Sequence, residues 1–171
     1  MREVKRIRDP DGKMNPGKVI DPYPADSNLK LGTDYNPPRP PVKFSYAMDG
    51  GDFAHATLRC IGAGKCRQPG TVDVMCPSYA VTHEERHTTR GRARLLFEML
   101  QGDVIKQGWQ SEEIYEALDL CLACKGCTND CPVHVDMPTL KAEFLYHHFK
   151  SPRRHRKRYM YAFGFIDRFD V

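Results

Sequence analysis

The sequence predicts a mostly α-helical fold: a small helical domain at residues 51–150 behind an extended N-terminal tail. Three observations predict it. Capping residues stand ahead of apolar runs of helical period at three places after residue 80. Prolines crowd residues 21–50, where periodic apolar residues are scarce. The seven cysteines fall into two groups, each closed by a Cys-Pro, at Cys76-Pro77 and Cys131-Pro132.

Taken in order, residues 1–20 read as a charged helical stub that breaks at Asp9-Pro10-Asp11-Gly12, where proline and glycine favour a turn. A stub of this size cannot bury a core of its own and is expected to pack on a neighbour. Residues 21–50, centred on Asn36-Pro37-Pro38-Arg39-Pro40-Pro41, read as an extended proline-rich linker. A short helix over 51–58 leads into Cys60. Thr88 or Thr89 caps a helix to about Gln101, with Leu95, Leu96, Met99 and Leu100 on one face and Gly102 just past its end. Ser111 caps the next, and Glu112 and Glu113 suit the positive end of its dipole. Ile114, Leu118 and Cys121 recur there at helical spacing, which turns Cys121 toward the core. Asp136 caps a last helix to about Phe149, with Met137, Leu140 and Phe144 facing inward. Residues 151–171 read as a basic tail.

Composition bounds the function. The 171 residues are 40% hydrophobic and the mean hydropathy is −0.59, so the core is expected to be small. No apolar run approaches the ~18 residues that cross a bilayer. No export signal is evident, so the seven cysteines are expected in a reducing cytoplasm, where thiolates serve metals. The net charge of +4 is concentrated in Lys150–Arg158, KSPRRHRKR. That run suits a solvated face, or a docking surface for an acidic partner or anionic lipid. No nucleic-acid module accompanies it, so no nucleic-acid partner is expected.

The second cysteine group, CLACKGCTNDCP from Cys121 to Pro132, has the spacing C-x2-C-x2-C-x3-C-P. Bacterial ferredoxins hold iron–sulfur clusters with this spacing, the first three thiolates on one cluster and the fourth on another. The remaining corner must come from a distant Cys-Pro, and Cys76 supplies one. The expected site is a [4Fe–4S] cluster on Cys76, Cys121, Cys124 and Cys127, in an alpha-helical ferredoxin-like domain. Zinc is the first alternative, but it usually takes two separated knuckles, not four cysteines in eleven residues. Disulfides are the second, and the odd cysteine count without an export signal argues against them.

The first group, CIGAGKC from Cys60 to Cys66, has Ala63 where a ferredoxin places its middle cysteine. With Cys131 crossing over, the second site has three thiolates: Cys60, Cys66 and Cys131. Three suit a [3Fe–4S] cluster, and a C-x5-C pair plus a Cys-Pro resembles that site in the iron–sulfur subunit of succinate dehydrogenase. The alternative is an incomplete site, empty or kept as small buried hydrophobes. His134 and Asp136 are candidate non-cysteine ligands.

His83-Glu84-Glu85-Arg86-His87 matches H-E-x-x-H, the zinc-protease signature, in which two histidines one helical turn apart bind zinc and the glutamate activates water, so a zinc protease is a remote alternative. The motif follows closely on Cys76 and ends at a helix cap, so any helix carrying it is short. Polar packing near a cluster is the expected role of these histidines and of Arg86, Arg90, Arg92 and Arg94. Positive charge there stabilises the more negative reduced state and raises the potential.

Arg59–Leu100, RCIGAGKCRQPGTVDVMCPSYAVTHEERHTTRGRARLLFEML, and Ala117–Leu145, ALDLCLACKGCTNDCPVHVDMPTLKAEFL, together resemble the iron–sulfur segment of large FAD-linked oxidases. These are of the D-lactate, glycolate and D-2-hydroxyglutarate dehydrogenase type. DPDGKMNPGKVIDP is similar to the end of their flavin-domain C-terminal cap. YMYAFGFIDRF is similar to the lead-in to a cysteine-rich domain of the kind in the C subunit of glycerol-3-phosphate dehydrogenase. The resemblance implies an electron-transfer module, fragment or subunit, that is not catalytic alone. It implies FAD in a partner domain or subunit and a downstream acceptor, cysteine-rich or membrane-associated. It places the module in the cytoplasm, peripheral to the inner membrane through its partners. An independent iron–sulfur carrier or sensor is the rival function.

Overall fold

The computed structural model describes residues 1–27, 31, 32, 34–68 and 74–150. Among these the regular structure is seven α-helices and four single 3₁₀ turns, with no strand. The chain divides into two compact units, residues 1–36 and residues from 37 onward. The basic run after Lys150 and the YMYAFGFIDRF segment lie outside the described residues.

In the first unit, helix α1 (Arg2–Arg8) ends at Asp9, as the proline after it dictates. The Asp9 carboxylate takes the Lys5 ammonium and the amides of Lys13 and Met14, at 2.9 and 2.8 Å. It therefore folds the turn back onto the helix. α1 buries no residue, and Val4 and Ile7, one turn apart, are exposed.

In the second unit, α2 (Phe53–Leu58) is capped by Asp52, which accepts from the Ala54 amide at 2.7 Å. α3 (Pro77–Thr82) begins on Pro77, whose missing N–H costs nothing at a first helical position. α4 (Thr89–Gln101), α5 (Glu112–Asp119), α6 (Gly126–Asp130) and α7 (Met137–Phe149) follow. Three caps fall where the sequence puts them. Thr88, Ser111 and Asp136 accept from the amides of Gly91, Ile114 and Thr139. Gly102 closes α4 with φ of +74°.

α4 is the centre of this unit and packs against α2, α5 and α7. Phe53, Leu96, Ile114, Leu118, Leu140 and Phe144 form the core between them, almost fully buried. Each stabilises the fold by roughly 1.5–3 kcal/mol. Cys66, Cys76, Cys127 and Cys131 belong to this same buried cluster. The close approach that seats α4 is made at Gly91, where a Cβ would stand 2.1 Å from the Glu85 carbonyl oxygen.

Two expectations change. α5 stops at Asp119, so Cys121 lies beyond the helix and is half-buried. The Ser78 hydroxyl donates to the Leu120 carbonyl and draws the chain out of helical register. The expected linker of 21–50 is divided, because residues 37–50 belong to the second compact unit. There the fully buried Glu143 of α7 accepts the amides of Lys43 and Phe44. His83–His87 does not form one helix: His83 ends α3 in a left-handed conformation, and Glu85–His87 is a single 3₁₀ turn. His87 is buried on the Thr82 hydroxyl at 2.9 Å, while His83 sits edge-on to Tyr79. The pair does not share the helix face that H-E-x-x-H requires.

Candidate iron–sulfur centres

Two cavities open at the N-terminal end of α4. One is lined by Cys76, Cys121, Cys124 and Cys127, with Arg92. The other is lined by Cys60, Cys66 and Cys131, with Ala63 and Arg90. Met75 and Thr89 line both and form the wall between them. Among the described residues no three His, Cys, Asp or Glu side chains converge as the ligands of a single ion do. The thiols border cavities instead.

Local backbone chemistry sets each cysteine. Pro77 starts α3 directly after Cys76, which leaves Cys76 at the helix N-cap. In the second motif Ala123 and Lys125 both have positive φ, 51° and 61°. A side-chain-bearing residue pays roughly 1–2 kcal/mol for that conformation. The two reversals wind CLACKGC around its cavity. Gly126 follows with only 3.2 Å between a would-be Cβ and the Met75 carbonyl oxygen. Lys141 of α7 holds the entry to this loop, its ammonium on the Cys121 carbonyl at 2.7 Å. Around the other cavity, Arg90 donates to Glu85 at 2.7 Å and to the Gly62 carbonyl at 3.5 Å, which pins the CIGAGKC loop.

Burial opposes free thiolates here. It pushes the Cys127 thiol up to about 11 and raises the Cys66 thiol above its usual range. A cation that coordinates sulfur reverses this preference, since metal-bound thiols are held deprotonated. The Cys76 thiol donates to the His87 carbonyl at 3.2 Å and accepts from Arg92 Nη1 at 3.6 Å. Arg92 Nη2 is buried with no hydrogen-bond partner among the described residues. Four cysteines and one orphaned cationic donor around a single cavity fit an anionic iron–sulfur cluster.

Residues 56–135 match the family of the 4Fe-4S dicluster domain. All seven cysteines fall inside that dicluster domain. The chain is 27% identical over 194 residues to D-2-hydroxyglutarate dehydrogenase of Haemophilus influenzae, across 95% of this chain and 19% of that protein. It is 30% identical over 195 residues to D-2-hydroxyglutarate dehydrogenase of Pseudomonas putida, across 90% of this chain and 19% of that one. The glycolate oxidase iron-sulfur subunit of Escherichia coli is 33% identical over 80 residues, 46% of this chain and 17% of that subunit. The resemblance to this dehydrogenase type therefore runs along nearly the whole chain. The chain spans about a fifth of the length of these relatives. No solved structure matches it.

The two candidate fourth ligands lie elsewhere. His134 and Asp136 line a larger, open cavity beside Arg59 and Tyr46. His134 Nδ1 is engaged by the Thr128 carbonyl at 2.8 Å, and Asp136 caps α7. Of the four arginines expected near a cluster, Arg90 and Arg92 line the cavities. Arg86 pairs with Glu84 and Glu116, and Arg94 pairs with Glu98 and covers Phe97. The shared wall of Met75 and Thr89 was not legible in the sequence, because neither residue type signals a metal site.

Proposed function

We propose that the chain is the electron-transfer module of an FAD-linked 2-hydroxy-acid dehydrogenase. The observation that carries this is the extent of the similarity. It covers 90–95% of the chain and so joins the N-terminal unit to the dicluster domain, as in the two D-2-hydroxyglutarate dehydrogenases. A stand-alone carrier would need only the domain. The exposed Val4 and Ile7 of α1 suit packing against a flavin-binding partner, domain or subunit.

Cys76, Cys121, Cys124 and Cys127 would hold a [4Fe–4S] cluster, and Cys60, Cys66 and Cys131 a three-thiolate [3Fe–4S] one. Such clusters take up and release single electrons, so a module of this kind divides the electron pair that a flavin removes from its substrate. The protein supplies the rest. Met75 and Thr89, nearly fully buried, exclude water between the sites. Arg90 and Arg92 bring positive charge to each cavity. Cys124 is exposed and leaves one edge of its cavity open to a partner. The chain alone is not catalytic; the acceptor is a downstream cysteine-rich or membrane-associated partner. No helix among the described residues is long and apolar enough to cross a membrane. A cytoplasmic position, peripheral to the inner membrane through partners, suits this role.

The deciding experiment is anaerobic reconstitution followed by iron, zinc and acid-labile sulfide analysis. It is then paired with oxidation of D-2-hydroxyglutarate, glycolate and D-lactate, with and without a flavin domain. Iron and sulfide bound, with dye reduction only when the flavin domain is present, is the expected result. Stoichiometric zinc without sulfide, or hydroxy-acid oxidation by the chain alone, overturns it.

A further inference from the structure

We infer that Arg92 donates directly, through Nη2, to the sulfur of the centre at Cys76, Cys121, Cys124 and Cys127, and sets that centre's potential. The inference rests on the assignment of this cavity to a cluster. Arg92 is 2% exposed and is among the largest fully buried side chains. A cation so buried costs several kcal/mol unless an opposite charge meets it. No carboxylate does so among the described ion pairs, although Arg67, Arg86, Arg90 and Arg94 all have one.

Its geometry is fixed from outside the cavity. Nε donates to the Ala117 carbonyl of α5 at 2.7 Å, which sets the plane of the guanidinium. Because the group is a rigid fork, fixing Nε fixes both Nη atoms. Nη1 then reaches the Cys76 sulfur at 3.6 Å, and Nη2 is left buried and, among the described residues, unpaired. A role only as a pin between α4 and α5 would be met by Nε alone. The other nearby cation, Lys141, is engaged by the carbonyls of Cys121 and Asp119. A cluster ligated by four thiolates is anionic and gains a further negative charge on reduction, with no bond made or broken. A donor and a positive charge at its sulfur therefore favour the reduced state and raise the potential.

The two cavities differ in this respect. Arg90 lines the other one and pairs there with Glu85, a carboxylate it shares with Arg67, whereas Arg92 lines only the cavity of Cys76. The effect of Arg92 should therefore be confined to the [4Fe–4S] centre.

The test is a redox titration with dithionite, followed by paramagnetic resonance, of the reconstituted full chain and of Arg92→Gln, Arg92→Lys and Arg94→Gln. In Arg92→Gln the reduced [4Fe–4S] signal should appear at least tenfold later in the redox equilibrium. That corresponds to about 59 mV more negative for one electron. Arg92→Lys, which keeps the charge but not the fork, should fall between. Arg94→Gln and the second centre should not move. Fully loaded Arg92 variants with unchanged midpoints overturn the inference and leave the cluster assignment standing. Wild-type chain that binds no iron and sulfide overturns the assignment itself, and this inference with it. Should the Arg92 variants fail to fold, wild-type chain with 15N-labelled arginine decides. A weak 15N coupling at the reduced [4Fe–4S] centre supports the donor, and its absence refutes it.

Discussion

Glu143 on α7 and Lys43 in the proline-rich approach are 100 residues apart, and both oxygens of the Glu143 carboxyl accept the Lys43 amide, at 3.0 and 2.9 Å. The same carboxyl takes the Phe44 amide at 3.0 Å and the ring of His147 at 2.9 Å. Replacing it with alanine leaves two part-buried amides without their acceptor. Glu143→Ala should cost about 3 kcal/mol, and Glu143→Gln less, because one oxygen acceptor remains. Urea unfolding and hydrogen exchange at Lys43 and Phe44 measure it; unchanged exchange at both amides would show that the clasp does not hold the approach.

Gly91→Ala should be among the most damaging single-methyl changes in the chain. The added carbon would stand 2.1 Å from a backbone oxygen, which no rotamer can relieve. A loss of about 3 kcal/mol is expected, toward the upper end of overpacking costs. α4 would have to lift from the turn at Glu85, carrying Arg90 and Arg92 with it. A variant that melts with the parent and keeps its iron contradicts this.

Ligand exchange between the two motifs is open to single substitutions. Cys76→Ser should damage the same signal as Cys124→Ser, although 48 positions separate them, because both line one cavity. Cys131→Ser should spare that signal and remove the other. The reverse pattern, with Cys131 needed for the [4Fe–4S] signal and Cys76 dispensable, would mean that the second motif is self-contained.

Ala63 lines the three-thiolate cavity. Ala63→Cys should add the missing corner: the oxidised-state resonance of a [3Fe–4S] centre disappears and iron per chain rises. An iron content that stays at the parent value argues for an incomplete first motif.

In the first unit, the bonds Asp9 receives from Lys5 and from the Met14 and Lys13 amides hold its carboxyl below its ordinary 3.8. A group depressed on folding stabilises the folded form above its unfolded pKa. That contribution is lost as pH falls below 3.8 and through the lower folded value. The Lys13 and Met14 amide resonances should therefore titrate with a midpoint under 3.8. A midpoint at or above it shows that the turn at Asp9 is not formed in solution.

The helices were legible because their ends are written in local chemistry. Thr88, Ser111 and Asp136 each cap a helix from one position, so adjacent residues suffice to place them. Cys121 was misplaced for the opposite reason: the Ser78 hydroxyl that draws the chain out of helical register comes from 42 positions away. The clasp by Glu143 and the orphaned nitrogen of Arg92 are likewise products of packing. An arginine within RGRARLL gives one sequence signal, since a charge among apolar neighbours asks for a buried partner. It does not say which of the segment's three arginines is enclosed.

Arg90 lines one cavity and Arg92 the other, two positions apart on the same turn of α4, and the preceding Thr89 lines both. A single inserted or deleted residue in that turn would rotate both cations away together, so neither site can be altered in this way without the other. The two centres form one mutational unit, and a chain that adapts to a new partner must retune them through side chains alone.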